Sequence, residues 1–389
     1  MHQRRIKNLE RIKNLKFYFK FRKNVRNLQG KYFLEGIPAM LKNLPFFIIV
    51  LLLFSSYTFA QAPGGVTGSI EVWLKADAGI NGVGADTDGD PVNTWTDQGS
   101  MTNNASAANL APPTYYDSTL NNYPVVVFDG VNDGMDFGGD YVYATGTGMD
   151  WFAVLQPNTE VDKTRQMIVD FGLYSTAGYG FMYGSEAYGF HTPEDAGGEV
   201  TQDQIHSRST LPTLVSFRID FNDNQSMAFN GASAVSTQAI SSLTNITATN
   251  INDSPTHDEF GGPVTIGHQS KTQNLSANGG RMYSGALAEV VGYSTVLTDA
   301  NRNRVETYLA LKYGLTISHN YIAYIGISNT TIYDVSTYPY DIAGVGQDNT
   351  SQGLNQFQSK SLNSGSLIEG TITDANIDED EYVVWGHNN

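Results

Sequence analysis

The chain contains no cysteine, so disulfides, thiol catalysis and cysteine-ligated metal sites are all excluded. Charged residues make up 16% of the 389 positions, too few for a chain held together by surface ion pairs. No apolar run reaches the roughly 20 residues that a membrane-spanning helix needs. Basic residues are scarce after the first 60 positions. Residues 1–60 hold 12 Lys/Arg against 2 Asp/Glu, whereas the remainder holds 11 against 37, a net charge of −26. A body so acidic repels nucleic acid and anionic lipid, and neither is expected as a partner.

What the chain does have is glycine, with 39 residues, and tyrosine, with 22. Both favour turn-rich β structure over helix bundles. Stability must then come from the core itself.

The longest apolar run, Leu44 to Phe54, is interrupted only by Pro45 and preceded by Lys42. Small residues follow it, with a cleavage point expected after Ala60. A positive start, a short apolar stretch and small residues are the pattern of a cleaved secretory signal. Met40-Leu41-Lys42 opens an ordinary signal peptide, so residues 40–60 are read as the signal. Residues 1–39, with Arg4, Arg5, Lys7, Arg11 and further basic positions, are read as an extension that is not in the mature protein. The expectation is an exported protein, extracellular or at a bacterial cell surface, with no membrane insertion after cleavage.

From Gly68 onward, short strand-like runs alternate with turn residues. Ile70, Val72 and Leu74 alternate with Glu71, Trp73 and Lys75, the period of two that a half-buried strand requires. Similar runs are 124–128, 151–155, 166–171, 214–221, 226–229 and 264–268. Turn-forming pairs such as Asn81-Gly82, Asp129-Gly130 and Asn230-Gly231 separate them, because these residues accept positive φ. The pattern predicts an all-β antiparallel sandwich or barrel. One helix is expected after Thr298, a good N-cap, with Val305, Tyr308, Leu309 and Tyr313 at helical spacing and Gly314 as the stop. It is expected to pack across the end of the sandwich.

Several landmarks then fall in order: Trp73-Leu74-Lys75-Ala76-Asp77, Thr94-Trp95-Thr96-Asp97-Gln98-Gly99, Pro124 to Gly130, Ala228-Phe229-Asn230-Gly231 and Thr265-Ile266-Gly267. Gly285 to Tyr293 and Val305 to Gly314 complete the series. Together, over about residues 66–316, they resemble the concanavalin A-like lectin/glucanase superfamily in its laminin G-like bacterial form. That resemblance implies a two-sheet antiparallel jelly-roll sandwich over 61–316, with one short helix near its C-terminal end. Residues 317–389, with Tyr340 to Asp348 and Val383 to Asn388, resemble the start of an uncharacterised β-rich domain that follows such modules. It is expected to be truncated at Asn389, since such proteins usually continue into a sorting domain for the type IX route.

The resemblance also implies a glycan ligand. Some relatives are hydrolases with a Glu-x-Asp-x-x-Glu strand, and that pattern is absent here. Serine elbows, zinc-binding His-Glu-x-x-His and phosphate loops are absent too. The histidines stand singly. The expected function is therefore a non-catalytic recognition or adhesion module for polysaccharide or cell-surface glycan. The rivals are a structural spacer contacting protein, and a hydrolase whose carboxylates come from separate strands.

Two groups of residues carry site expectations. Asp86, Asp88 and Asp90, with Asp97 seven residues on, place carboxylates at the 1, 3, 5 and 12 spacing of a calcium loop. The pattern departs from such a loop at Pro91, where Gly is needed, and its bland counterpart is a solvated acidic tip. Asp129, Asp133 and Asp136 read as suppliers of turn hydrogen bonds, with a second calcium site as the alternative. Tyr183 and Tyr188, in an aromatic stretch broken by glycine, are the candidate sugar-stacking residues. The competing reading of that stretch is a plain hairpin with its aromatics in the core.

Overall fold

Alternating polar and apolar runs bounded by glycine turns fold here, among the described residues, as twenty-three strands and one α-helix, in a computed structural model. It describes residues 61–82, 87–107, 110–137, 148–158, 165–171, 179–184, 187–193, 199–207, 209–220, 224–234, 236–239, 264–268, 282–349, 353–363, 366, 368–373 and 377–388. From Phe59 onward the chain forms one compact unit. Met1–Thr58, which holds the expected extension and most of the expected signal, lies outside the described residues.

In chain order the strands are β1 (Ile70–Lys75), β2 (Thr94–Trp95), β3 (Ala105–Ser106), β4 (Thr114–Leu120), β5 (Tyr123–Asp129) and β6 (Met135–Phe137). Next come β7 (Gly148–Pro157), β8 (Arg165–Phe171), β9 (Tyr179–Gly184), β10 (Ala187–Pro193) and β11 (Glu199–Ser207). The series continues with β12 (Thr213–Asp220), β13 (Asn224–Phe229), β14 (Ser236–Ala239), β15 (Val264–Ile266) and β16 (Ser284–Tyr293). An inner sheet runs β14-β13-β12-β7-β16-β5-β4, with β1 also paired to β16. An outer sheet runs β11-β10-β9-β8-β15-β6-β3-β2. Every pairing is antiparallel, so the all-β sandwich expected from turn spacing is the observed fold.

Between the sheets lies one core. Trp151, Ala153 and Leu155 of β7 meet Val169, Val264 and Ile266 of the outer sheet there. Gly292 allows the close approach: a Cβ at that position would fall 2.5 Å from the Trp151 ring.

The helix α1 (Asp299–Tyr313) begins and ends where its caps predict. Thr298 accepts a hydrogen bond from the Asn301 amide, and Gly314 closes the helix in the left-handed conformation at φ 62°. Its position differs from expectation. Instead of crossing the end of the sandwich, α1 lies on the far face of the inner sheet, against Phe152, Val154, Ala288 and Val291. The physical reason is legible in β7 and β16, which are apolar along nearly their whole length rather than alternating. A strand of that kind needs cover on both faces.

Residues from Tyr321 onward supply the rest of that cover. A hairpin forms from β17 (Tyr321–Ile325) and β18 (Ser328–Tyr333), and β19 (Tyr340–Gln347) sits between β20 (Asn355–Gln356) and β23 (Glu381–His387). The short pair β21 (Gln358–Lys360) and β22 (Glu369–Thr371) completes the set. Tyr321, Ile342 and Leu354 join Trp73, Tyr308 and Leu309 in a second core. All ten residues from Arg304 to Tyr313 are buried, because α1 is enclosed between the inner sheet and these strands.

Gly314 sits where these parts meet. A Cβ there would fall 2.0 Å from the Lys360 carbonyl oxygen, and the backbone is left-handed. Gly314→Ala is expected to cost about 1–2 kcal/mol from backbone conformation alone, and more from the clash. A urea denaturation midpoint measures it, and an unchanged midpoint would refute the assignment.

Candidate functional site

The sequence landmarks converge on a largely buried place with Asp77 at its exposed edge. Glu289 of β16 is fully buried. Its Oε1 accepts from the Trp73 indole N–H at 2.5 Å, and its Oε2 accepts from Lys312 Nζ at 2.8 Å and from the Tyr313 hydroxyl at 2.8 Å. Lys312 also reaches Asp77 at 2.9 Å. The rings of Tyr123, Tyr308 and Tyr313 stand 5.0, 5.8 and 5.2 Å from its ammonium. Burial alone would push the Lys312 ammonium down, but Glu289 and Asp77 outweigh it and hold its pKa above the ordinary lysine value. Burial pushes the Tyr123 phenol up to about 12. This network bolts α1 to the inner sheet. Glu306 does the same nearby, accepting from Ser216, Arg302 and His319. No ligand reaches either carboxylate, so the roles are structural.

Three of the four expected calcium ligands, Asp88, Asp90 and Asp97, are among the described residues. Asp97 is buried, and its Oδ1 accepts from the Trp73 and Gly99 amides, both at 2.8 Å, while Oδ2 accepts from the Asn103 amide at 3.0 Å. Burial raises its pKa and these amides lower it. Asp97 thus ties its loop to β1. Asp88, which is exposed, accepts from the Asp117 amide at 2.6 Å, and Asp90 accepts from the Thr87 amide at 2.9 Å. Asp86 lies outside the described residues. Among the described residues no group of three or more His, Asp or Glu side chains is placed to hold a metal ion.

The second acidic group makes turn hydrogen bonds. Asp129 accepts from the amides of Val131 and Asn132, and Asp133 accepts from the Asp129 amide at 2.8 Å. Burial and the Asp129 carboxylate push Asp133 up to about 6 against the amide bond that lowers it. A carboxyl whose folded pKa is raised favours the fold at acid pH, and that support is lost as pH rises. Stability is therefore expected to fall between about pH 4 and about 6, and Asp133→Asn is expected to flatten that part of the profile. A profile of identical shape in the variant would refute the assignment.

Two backbone rows cross the outer sheet. In one, Gln166, Tyr183, Tyr188 and His206 are successive partners. The Gln166 side chain accepts from the Ser284 amide of the inner sheet at 2.7 Å, while the side chains of Tyr183 and Tyr188, the expected sugar-stacking pair, lie outside the described residues. In the other row, Ser106, Asp136, Thr265, Asp170 and Gly180 are partners. Asp136 pairs with His268 at 2.8 Å, and the Thr265 hydroxyl donates to the His268 carbonyl. Asp136 and Asp170 stand two strand spacings apart, roughly 9.5 Å, which is the range of an inverting carboxylate pair. With exposures of 6% and 0%, neither is open to a polysaccharide.

Among the described residues, an open depression lies at the ends of β5, β7 and β16. Gln156, Ala286 and Val127 are successive cross-strand partners along it, and Pro157, Asn158, Thr210 and Gly285 complete the lining. Gly285 adopts φ 151°, and a Cβ there would fall 2.6 Å from the Gln156 carbonyl oxygen. Gln156 is held by a bond from its Nε2 to the Thr210 carbonyl at 3.1 Å, and the Asn158 amide donates to Ser284 at 2.9 Å. Among the described lining residues none titrates, so the shelf offers no acid–base pair. Its only trace in the sequence is Gln156, a lone amide ending the apolar run of β7.

A family model described as a domain of unknown function (DUF8202) matches residues 301–389, beginning inside α1. No curated protein sequence matches the chain. Among solved structures, the CBM40 of the Ruminococcus gnavus IT-sialidase, bound to α2,3-sialyllactose, is similar at 11% identity and a TM-score of 0.35, over 48% of this chain and 94% of that one. The NanB sialidase of Streptococcus pneumoniae is similar at 13% identity and a TM-score of 0.34, over 46% of this chain and 26% of that one. The receptor-binding domain of botulinum neurotoxin D is similar at 10% identity and a TM-score of 0.40, over 79% and 64% of the two chains. This chain thus spans about a quarter of the pneumococcal sialidase, and no residue role is carried over from any of the three.

Proposed function

We propose that this protein is an exported, non-catalytic recognition module that binds polysaccharide or cell-surface glycan on the shelf at the end of the inner sheet. The observation that carries the reading is the composition of that shelf. A sugar ring presents an apolar C–H face edged by hydroxyls. A lining of Val127, Pro157 and Ala286 beside the amide and hydroxyl groups of Gln156, Asn158 and Thr210 suits both parts. The lack of a titratable group in the described lining supports binding without hydrolysis. The sequence resemblance to concanavalin A-like lectins supports the same class of ligand, and the signal-like segment before Ala60 supports export.

The test is a glycan binding screen of the purified full chain, run with calcium and with chelator. Binding at the shelf is expected to persist in chelator, since Asp97 is engaged by backbone amides. Loss of binding with chelator and with Asp88→Ala would instead place the site on the acidic loop. Loss with Tyr188→Ala alone would place it on the β9–β10 hairpin. A folded protein that binds no glycan would leave the structural spacer as the function.

A further inference from the structure

We infer that the shelf takes an uncharged glycan and rejects sugars bearing carboxylate or sulfate groups; this rests on the glycan reading given above. A bound carboxylate needs a cationic partner or several convergent N–H donors, and Arg is the usual one because its fork matches the two oxygens. An anion that loses water without such a partner is strongly disfavoured. The described lining of the shelf contains no Lys, Arg or His. Its polar lining is two amides and a hydroxyl, groups that exchange hydrogen bonds with neutral hydroxyls in both directions.

The surrounding charge points the same way. Asp129 ends the strand that supplies Val127 and stands opposite Ser284, the neighbour of Gly285. Asp133 bonds to the Asp129 amide in the adjoining turn. The chain after residue 60 carries a net charge of −26, so its field opposes the approach of an anionic polymer. The basic residues next to the shelf in sequence, Lys163 and Arg208, lie outside the described residues and supply the control.

Neutral hexasaccharides of glucose, xylose and mannose are compared by calorimetry with sialyllactose, oligogalacturonate and chondroitin sulfate, each on the full chain. At least one neutral glycan is expected to bind, with the anionic ones weaker by about tenfold or more. Raising salt from about 50 to about 500 mM is expected to leave the neutral affinity within about twofold, since no ion pair is there to screen. Tighter binding of an anionic sugar, lost in Lys163→Ala or Arg208→Ala, would overturn the inference while keeping the glycan reading. Binding of neither class by a folded protein would remove both.

Discussion

Lys312→Met is expected to destabilise the fold by about 3–5 kcal/mol, because it leaves the carboxylate of Glu289 buried without its cation. Glu289 has no exposure and retains only the Trp73 indole and Tyr313 hydroxyl as donors in such a variant. The double variant Lys312→Met/Glu289→Leu is expected to recover much of the loss, since replacing both members of a buried pair by apolar groups is often close to neutral. The sign with pH follows from the raised pKa of Lys312. Its support is fully present below the unfolded lysine value and is lost only as pH rises through the still higher folded value. Equilibrium denaturation of the three proteins near pH 7 decides the matter. A loss below about 1 kcal/mol, the size of an exposed pair, would contradict the account.

Arg218→Leu is the second large effect, and it carries a pH signature. Arg218 on β12 forks onto Asp150 on β7, with Nε to Oδ1 at 2.8 Å and Nη2 to Oδ2 at 2.7 Å. The Leu297 amide donates to the same carboxylate at 2.7 Å, which fixes the chain on its way into α1. Burial raises the Asp150 pKa, and the Arg218 bond restrains that rise. Without the guanidinium the rise grows. A carboxyl with a raised folded pKa stabilises the fold at acid pH and withdraws that support as pH climbs. The variant is therefore expected to lose about 3–5 kcal/mol near pH 7 and distinctly less near pH 4, where Asp150 is protonated. A deficit equal at both pH values would show that lost packing, not charge, is responsible.

How much of this was legible beforehand depends on the range of the interactions. The strands at 70–75, 166–171 and 264–266 and the caps of α1 rest on local periodicity and local hydrogen bonds, and the sequence displays both. The placement of α1 rests on β16, whose Ser284–Tyr293 run has no polar alternation. That run showed two-sided burial, but not which segment would supply the second cover. The resemblance motifs were visible yet open to misreading as a site, because Trp73, Asp77, Glu289 and Lys312 are up to 239 residues apart (Trp73 to Lys312) in the sequence and only the fold shows them as one bolt. Asp97 had ligand spacing but turned inward to three amides. Spacing records which oxygens are near in sequence, not which amides reach them first. The shelf was the least legible, since its apolar lining consists of small residues drawn from β5, β7 and β16.

The shelf is also where the account is most directly tested. Ala286→Phe would fill the depression from a position that is 8% exposed and packs in the core beneath α1. Its binding isotherm for the glycan found in the screen is to be compared with that of the unaltered protein, with denaturation midpoints taken alongside. A loss of at least about tenfold in affinity in a variant whose lowered midpoint still leaves it folded at the assay temperature is the predicted result. Full affinity in a folded Ala286→Phe protein would contradict it, and the glycan would have to be sought elsewhere on the sandwich.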